Sequence, residues 1–165
     1  MYTKNNIAIG KVASKDLMRP ELSCIAFYGD RTVATDSFRL IEMSADGKKQ
    51  KKPTLLYAKE VMQRTKLMNE LLNVDDIQKK AMVNPLDDLI VYPDIDLVLD
   101  QAERNDHIVI KVNGKYLAEC AQILSKLSKF SSIEMYIPKE DGRPIILKSS
   151  NETQSARALI MPMTK

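Results

Sequence analysis

Residues 23–44 read SCIAFYGDRTVATDSFRLIEMS. Ile25 and Phe27 point one way, and Tyr28-Gly29-Asp30-Arg31 is a turn. Thr32–Thr35 runs back, and Arg39–Ser44 is a third strand. Between the last two strands lies ATDSFRL, residues 34–40. A plain hairpin turn is served by Gly, Asn or Asp. Thr35, Ser37, Phe38, Arg39 and Leu40 therefore need a further reason to sit there.

Outward from this stretch the periods change. NNIAIGKVA, residues 5–13, reads as a short strand, broken before Pro20. ADGKKQKK, residues 45–52, is a polar, mobile loop with four lysines. Thr54–Tyr57 is a strand. From Ala58, Val61, Met62, Thr65, Met68 and Leu72 recur at mostly three- and four-residue steps, which predicts a helix. NVDDIQKKAMV, residues 73–83, starts with an Asx-type signal and predicts a second short helix. Residues 84–106 are acidic, carry two prolines and read as an extended connector with short strand pieces.

The last third is the most regular. HIVIKV, residues 107–112, alternates as a strand does. Leu117, Cys120, Ala121, Leu124 and Leu127 share one helical face. Residues 131–150 form a hairpin around Glu140-Asp141-Gly142, and ARALIMPM, residues 156–163, is a final strand. The expectation is an α+β fold, with two principal helices packed on antiparallel sheets of about eight strands. It reads as one domain, with a first half over 1–72, a bridge over 73–106 and a second half over 107–165.

Composition narrows the function. The chain has 165 residues, 44% hydrophobic and 28% charged, the balance of an ordinary globular domain. Trp is absent and only three Phe are present, so Leu, Ile, Val and nine Met fill the core. No apolar run reaches the ~18 residues of a membrane helix, and MYTKNNIAIG lacks the apolar core of a secretory signal. Cys24 and Cys120 read as buried free thiols of a reducing, cytoplasmic compartment. A single histidine, His107, and no Cys/His spacing argue against a metal site. No nucleophile elbow and no phosphate-binding glycine loop are present, and Gly numbers only five. The expectation is a non-enzyme without a cofactor. Residues 1–66 carry 13 basic and 7 acidic side chains, 67–106 carry 3 and 10, and 107–165 carry 9 and 5. Two basic lobes flanking an acidic middle are compatible with a polyanion and equally with solvated surface.

Four segments then carry a family resemblance. MRPELSCIAFYGDRTVATDSFRL, residues 18–40, is similar to the R-P-x-L, strand and A-T-D-G-H-R-L of the middle domain of the bacterial sliding clamp, the beta subunit of DNA polymerase III. YPDIDLVL, residues 92–99, resembles the F-P-D-Y-x-x-V-x linker to that family's last domain. IKVNGKYLAECAQIL, residues 110–124, resembles its N-x-x-Y-L-x-x-A-x-x-x-L helix. ALIMPMTK, residues 158–165, resembles its V-M-P-M-R ending. The order is the family's. Its first domain and the strands after the first helix lack counterparts, so the resemblance implies a shortened, divergent member with a DNA-clamp-like fold.

The resemblance implies a groove for client peptides of the Gln-x-x-Leu-Phe type, carried by polymerases and other replication proteins. Matching positions are Thr35, Ser37, Phe38, Arg39 and Leu40 with Leu159, Met161, Pro162 and Met163. Leu40 and the methionines suit a deformable apolar floor. Gly-His of the family is here Ser37-Phe38, the linker's closing Pro is Asp100, and the Arg after M-P-M is Thr164. The family's helices also face double-stranded DNA without reading its sequence, which implies contacts at Lys59, Arg64, Lys66, Lys115, Lys126 and Lys129 and a homo-oligomeric ring.

Read from the residues alone, ATDSFRL is equally a polar turn in which Arg39 pairs with Asp36, and IMPM a terminal core strand. Three readings stay open: a minimal processivity clamp, a clamp-like adaptor from a phage or mobile element, and a structural subunit that keeps the fold without a working groove.

Overall fold

The computed structural model describes residues 1–16, 18–65, 72–81, 85–86, 90–103, 108–140 and 142–163. The chain divides into two compact units, Met1–Ile95 and Asp96–Lys165. Both combine helices with antiparallel sheet, so the class is α+β, with seven strands and five α-helices among the described residues.

In the first unit, β1 (Cys24–Phe27), β2 (Arg31–Thr35), β3 (Leu40–Ser44) and β4 (Thr54–Tyr57) form a sheet in the order β3-β2-β1-β4. All pairs are antiparallel. Ile25 and Phe27 face the helices, where they meet Ile7, Ile9, Leu56, Val61 and Ile77. Burying each such side chain contributes about 1.5–3 kcal/mol. Cys24 and Ala26, on the opposite face, are also fully buried. The connector supplies cover within this unit, since buried Tyr92 donates its hydroxyl to the Val33 carbonyl at 3.4 Å.

The strand expected at 5–13 is instead α1 (Lys4–Ala8) running into a 3-10 turn, Ile9–Val12. Its Ile7, Ile9 and Val12 satisfy either period over so short a run. The decision falls to Thr3, which caps the helix reciprocally with Asn6. Buried Asn6 also donates to Thr32 Oγ1 at 3.1 Å and to the Ser44 carbonyl at 2.9 Å, tying the helix to the sheet.

The expected helix from Ala58 is α2 (Ala58–Arg64). It stops at Thr65, whose hydroxyl donates back to the Val61 carbonyl at 2.6 Å. Leu72 belongs to no helix, because it forms an isolated antiparallel bridge with Tyr2; Met68 lies outside the described residues. The second short helix is α3 (Val74–Ala81). Its Asx-type start is real: Asp76 N–H donates to Asn73 Oδ1 at 2.7 Å. The connector is not extended throughout, since Ile95–Glu103 forms α4. Helix-favouring Leu, Gln, Ala and Glu follow Pro93 there and override the proline punctuation.

The second unit packs α5 (Gly114–Leu124) on a sheet of β5 (Glu134–Tyr136), β6 (Ile145–Ser150) and β7 (Ser155–Ile160), in the order β5-β6-β7. Leu124, Ile145, Leu147 and Ile160 make the core, with Leu117, Cys120 and Leu127 packed against it. Asn113 caps α5, accepting from Lys115 N–H at 3.0 Å. Of the strand expected at 107–112, His107 lies outside the described residues, and 108–112 keeps only a bridge between Val112 and Pro162. Pro162 has no N–H to extend a ladder, which limits the pairing. Cys24 is buried as expected, whereas Cys120 is only partly buried; both are free thiols.

Candidate functional site

The 34–40 turn closes where Thr35 pairs with Leu40 at the end of the β2–β3 ladder. Its side chains satisfy its own backbone. Thr35 Oγ1 donates to the Arg39 carbonyl at 2.8 Å and accepts from Ser37 N–H at 3.2 Å. Asp36 Oδ1 accepts from the N–H groups of Phe38 and Arg39, both at 3.1 Å, and Asp36 Oδ2 accepts from Arg39 Nε at 3.0 Å. The Asp36–Arg39 pair foreseen for a polar turn is thus present. Desolvation is the largest influence on the Asp36 carboxyl and raises its pKa. The hydrogen bonds from Arg39 and the Phe38 backbone, with the Arg39 charge, outweigh it and hold the group below the ordinary carboxylate range.

Ser37 takes a positive φ of 78°, the left-handed region that favours glycine. Its hydroxyl accepts from Arg19 Nη1 at 3.1 Å. One consequence is the exposure of Phe38, which is 97% accessible at the tip of the turn. A phenyl ring so fully hydrated stabilises nothing in the unit that carries it.

In the second unit, the tail runs antiparallel to the segment before α5, with Met163 N–H donating to the Lys111 carbonyl at 2.7 Å. Tail and helix together enclose a cleft of about 550 Å³, lined by Asn113, Tyr116, Glu119 and Cys120 from the helix side and Leu159, Ile160, Met161 and Met163 from the strand side. Leu159, Met161 and Met163 therefore share one site, and Pro162 borders it through its bridge to Val112. Leu159, Met161, Met163 and Tyr116 are 62%, 65%, 57% and 57% exposed, so the lining is available rather than spent on the core. IMPM is not a core strand beyond Ile160.

Tyr116, Cys120, Asn113 and Glu119 were not among the expected site residues. Their spacing carried the signal, because Tyr116 and Cys120 are four apart and so lie on one helical face. Reading that face as core alone hid its outer margin.

The basic candidates are dispersed. Lys59 and Arg64 are exposed on α2. Lys66 lies outside the described residues. Lys115 opens α5, within 4.0 Å of Glu119, whereas Lys126 and Lys129 follow its other end. At 1.5 Å per residue this separates Lys115 from Lys126 by about 16 Å along the axis. Lys129 Nζ stands 5.8 Å from the Phe130 ring centroid. Among the described residues no group of three His, Cys, Asp or Glu side chains is placed to hold a metal, and no helix is long and apolar enough to cross a membrane.

This architecture defines a class: a clamp-type α+β fold of helices on antiparallel sheets. A solved structure with this fold is a DnaN sliding clamp, DNA polymerase III subunit beta, from Bartonella birtlesii bound to griselimycin. The match has a TM-score of 0.58 at 18% identity and covers 97% of this chain. The chain spans about half of that clamp, 48% of its length. No protein-family model and no curated protein matches the sequence. At this identity the likeness establishes the fold.

Proposed function

We propose that this chain is a divergent relative of the bacterial sliding clamp and serves as a replication accessory protein that captures short client peptides. One observation carries the reading: a cleft lined by exposed Tyr116, Leu159, Met161 and Met163. Apolar side chains left open in one concavity mark a binding surface, and methionines adapt to varied apolar anchors. The clamp of similar fold was itself bound to a ligand, griselimycin. The peptide supplies a Leu-Phe anchor to the cleft. Phe38, Arg39 and Leu40, in the first unit, are proposed separately as peptide contacts of that unit. The chain acts by binding, without catalysis or cofactor, and as a homo-oligomer around DNA in the fuller form of the proposal.

The second reading is an adaptor that binds peptides without encircling DNA. The dispersed lysines favour it, since Lys115 and the Lys126–Lys129 pair lie at opposite ends of α5. Titration of a fluorescein-labelled Gln-x-x-Leu-Phe peptide tests the shared core of both. Saturable micromolar binding, weakened by about 1–3 kcal/mol in Met163→Ala, is expected. Absence of binding at high micromolar protein overturns it. Phe38→Ala in the same titration reads the turn's share, and solution mass separates ring from adaptor.

A further inference from the structure

We infer that Cys120, Met161 and Met163 form a thiolate–thioether site for a soft monovalent cation, Cu(I), in the cleft of the second unit. Three sulfur side chains line this one concavity. The site needs no peptide to be bound there.

The backbone brings the sulfurs together. Met161 and Met163 are two apart on an extended tail, so their side chains leave the same face. Pro162 between them has a fixed φ. The tail is fastened by the Val112–Pro162 bridge and by Met163 N–H, which donates to the Lys111 carbonyl at 2.7 Å. Both methionines are more than half exposed, so core packing does not consume their thioethers. Cys120 comes from α5 on the other side of the cleft and is a free, partly buried thiol. An adaptable apolar wall accounts for methionine. It does not account for a thiol across from two of them. Cys24 cannot take this part, since it is fully buried in the first unit and its Sγ–H donates to the Pro20 carbonyl at 3.3 Å.

The donor set selects the metal. Thiolate and thioether sulfurs are soft ligands that favour Cu(I), whereas carboxylate, carbonyl and water favour Mg, Ca and Mn. Zinc sites are built from thiolate, imidazole and carboxylate, and this lining holds one thiol, one carboxylate and no histidine. That carboxylate, Glu119, lies 4.0 Å from Lys115 Nζ on the exposed surface of α5. As the cation enters, Cys120 Sγ gives its proton to the buffer and forms the copper–sulfur bond. The two thioethers donate lone pairs and lose no proton. Copper stays Cu(I) throughout, so no oxidant or reductant is consumed. One thiolate against one monovalent cation leaves a neutral unit, which suits a cleft with apolar walls.

The test is an anaerobic competition between the reduced full chain and the chromogenic Cu(I) chelator bicinchoninate. The wild type should withdraw one Cu(I) per chain. Met161→Leu/Met163→Leu keeps the apolar volume of the tail and removes both thioethers, so it should fold, with an unchanged melting curve, and bind Cu(I) about tenfold or more weakly. Cys120→Ala should lose affinity at least as far, and Cys24→Ala should match the wild type. No withdrawal from the chelator by the wild type would overturn the inference. So would unchanged affinity in the double leucine variant, a loss that follows Cys24 rather than Cys120, or Zn(II) held as tightly as Cu(I). Peptide titration of the metal-free double leucine variant separates the two readings of the cleft, because leucine serves a Leu-Phe anchor and cannot ligate copper.

Discussion

The N–H of Met163 donates to the carbonyl of Lys111 at 2.7 Å, and this bond joins the end of the tail to the segment that leads into α5. It sits one residue beyond the Val112–Pro162 bridge. Together the two contacts hold Met161 and Met163 along one side of a cleft whose other side is Tyr116 and Cys120.

Tyr116→Ala is expected to weaken peptide binding by about 1–3 kcal/mol, since a large amphipathic ring in a binding cleft is the usual energetic anchor. Tyr116 is over half exposed, so the melting temperature should barely move. Affinity by titration and melting by circular dichroism check the two halves together. Equal affinity in variant and wild type would remove the helix side from the site.

Ser37→Gly should stabilise the protein by about 0.5 kcal/mol, because a left-handed conformation costs a non-glycine residue about 1–2 kcal/mol and glycine's greater unfolded freedom returns part of that. The readout is the urea midpoint at constant slope. A lower midpoint would mean that the Arg19 bond to Ser37 Oγ outweighs the backbone strain.

Asp36 predicts the pH behaviour of the turn. Its folded pKa lies below the ordinary carboxylate value, so the charged form favours the folded turn. That contribution is complete above the unfolded pKa and is lost as pH falls through the folded one. Amide shifts of Phe38 and Arg39 should hold from neutral pH down to the ordinary carboxylate range and move only below it. Movement between pH 7 and 5 would contradict the assignment.

The thiols should differ in reactivity. Burial, followed by the charges of Glu21 and Glu60, pushes Cys24 up to about 12, and its Sγ–H donates to the Pro20 carbonyl at 3.3 Å. Cys120 lines the cleft. Iodoacetamide on the native protein at pH 8 should label Cys120 and spare Cys24, while urea exposes both. Bound peptide should slow the Cys120 reaction. Preferential labelling of Cys24 in native protein would refute the packing described.

Several elements were legible because one local signal ruled. The β1–β2–β3 meander followed from the alternation of Ile25 and Phe27 and the Tyr28–Arg31 turn. The start of α3 followed from Asn73, and α5 from its apolar face and Asn113. Residues 5–13 misled because Ile7, Ile9 and Val12 fit two periods, and only the Thr3–Asn6 cap and the Asn6 bonds to the sheet chose between them. Residues 107–112 misled in the opposite sense. They alternate as a strand should, yet the partner across from Val112 is a proline.

The site divides in the same way. ATDSFRL and IMPM were singled out as candidates by the family resemblance, since residue type alone reads them as a polar turn and a terminal core strand, whereas the α+β class followed from the sequence of periods. Whether those side chains are buried or open is a matter of packing, and packing joins residues far apart in the chain. Leu159, Met161 and Met163 have the composition of a core strand. They stand open because β7 ends at Ile160 and the tail then pairs only with Lys111 and Val112. Tyr116 and Cys120 have the spacing of a core helix, and they line a cleft because that tail runs beside them. The loop of residues 45–52, with its four lysines, is the plainest case. Its charge can be counted in the sequence, but its fixed shape depends on Gly29 meeting Lys48 across the sheet end, a contact between backbones that no local pattern encodes.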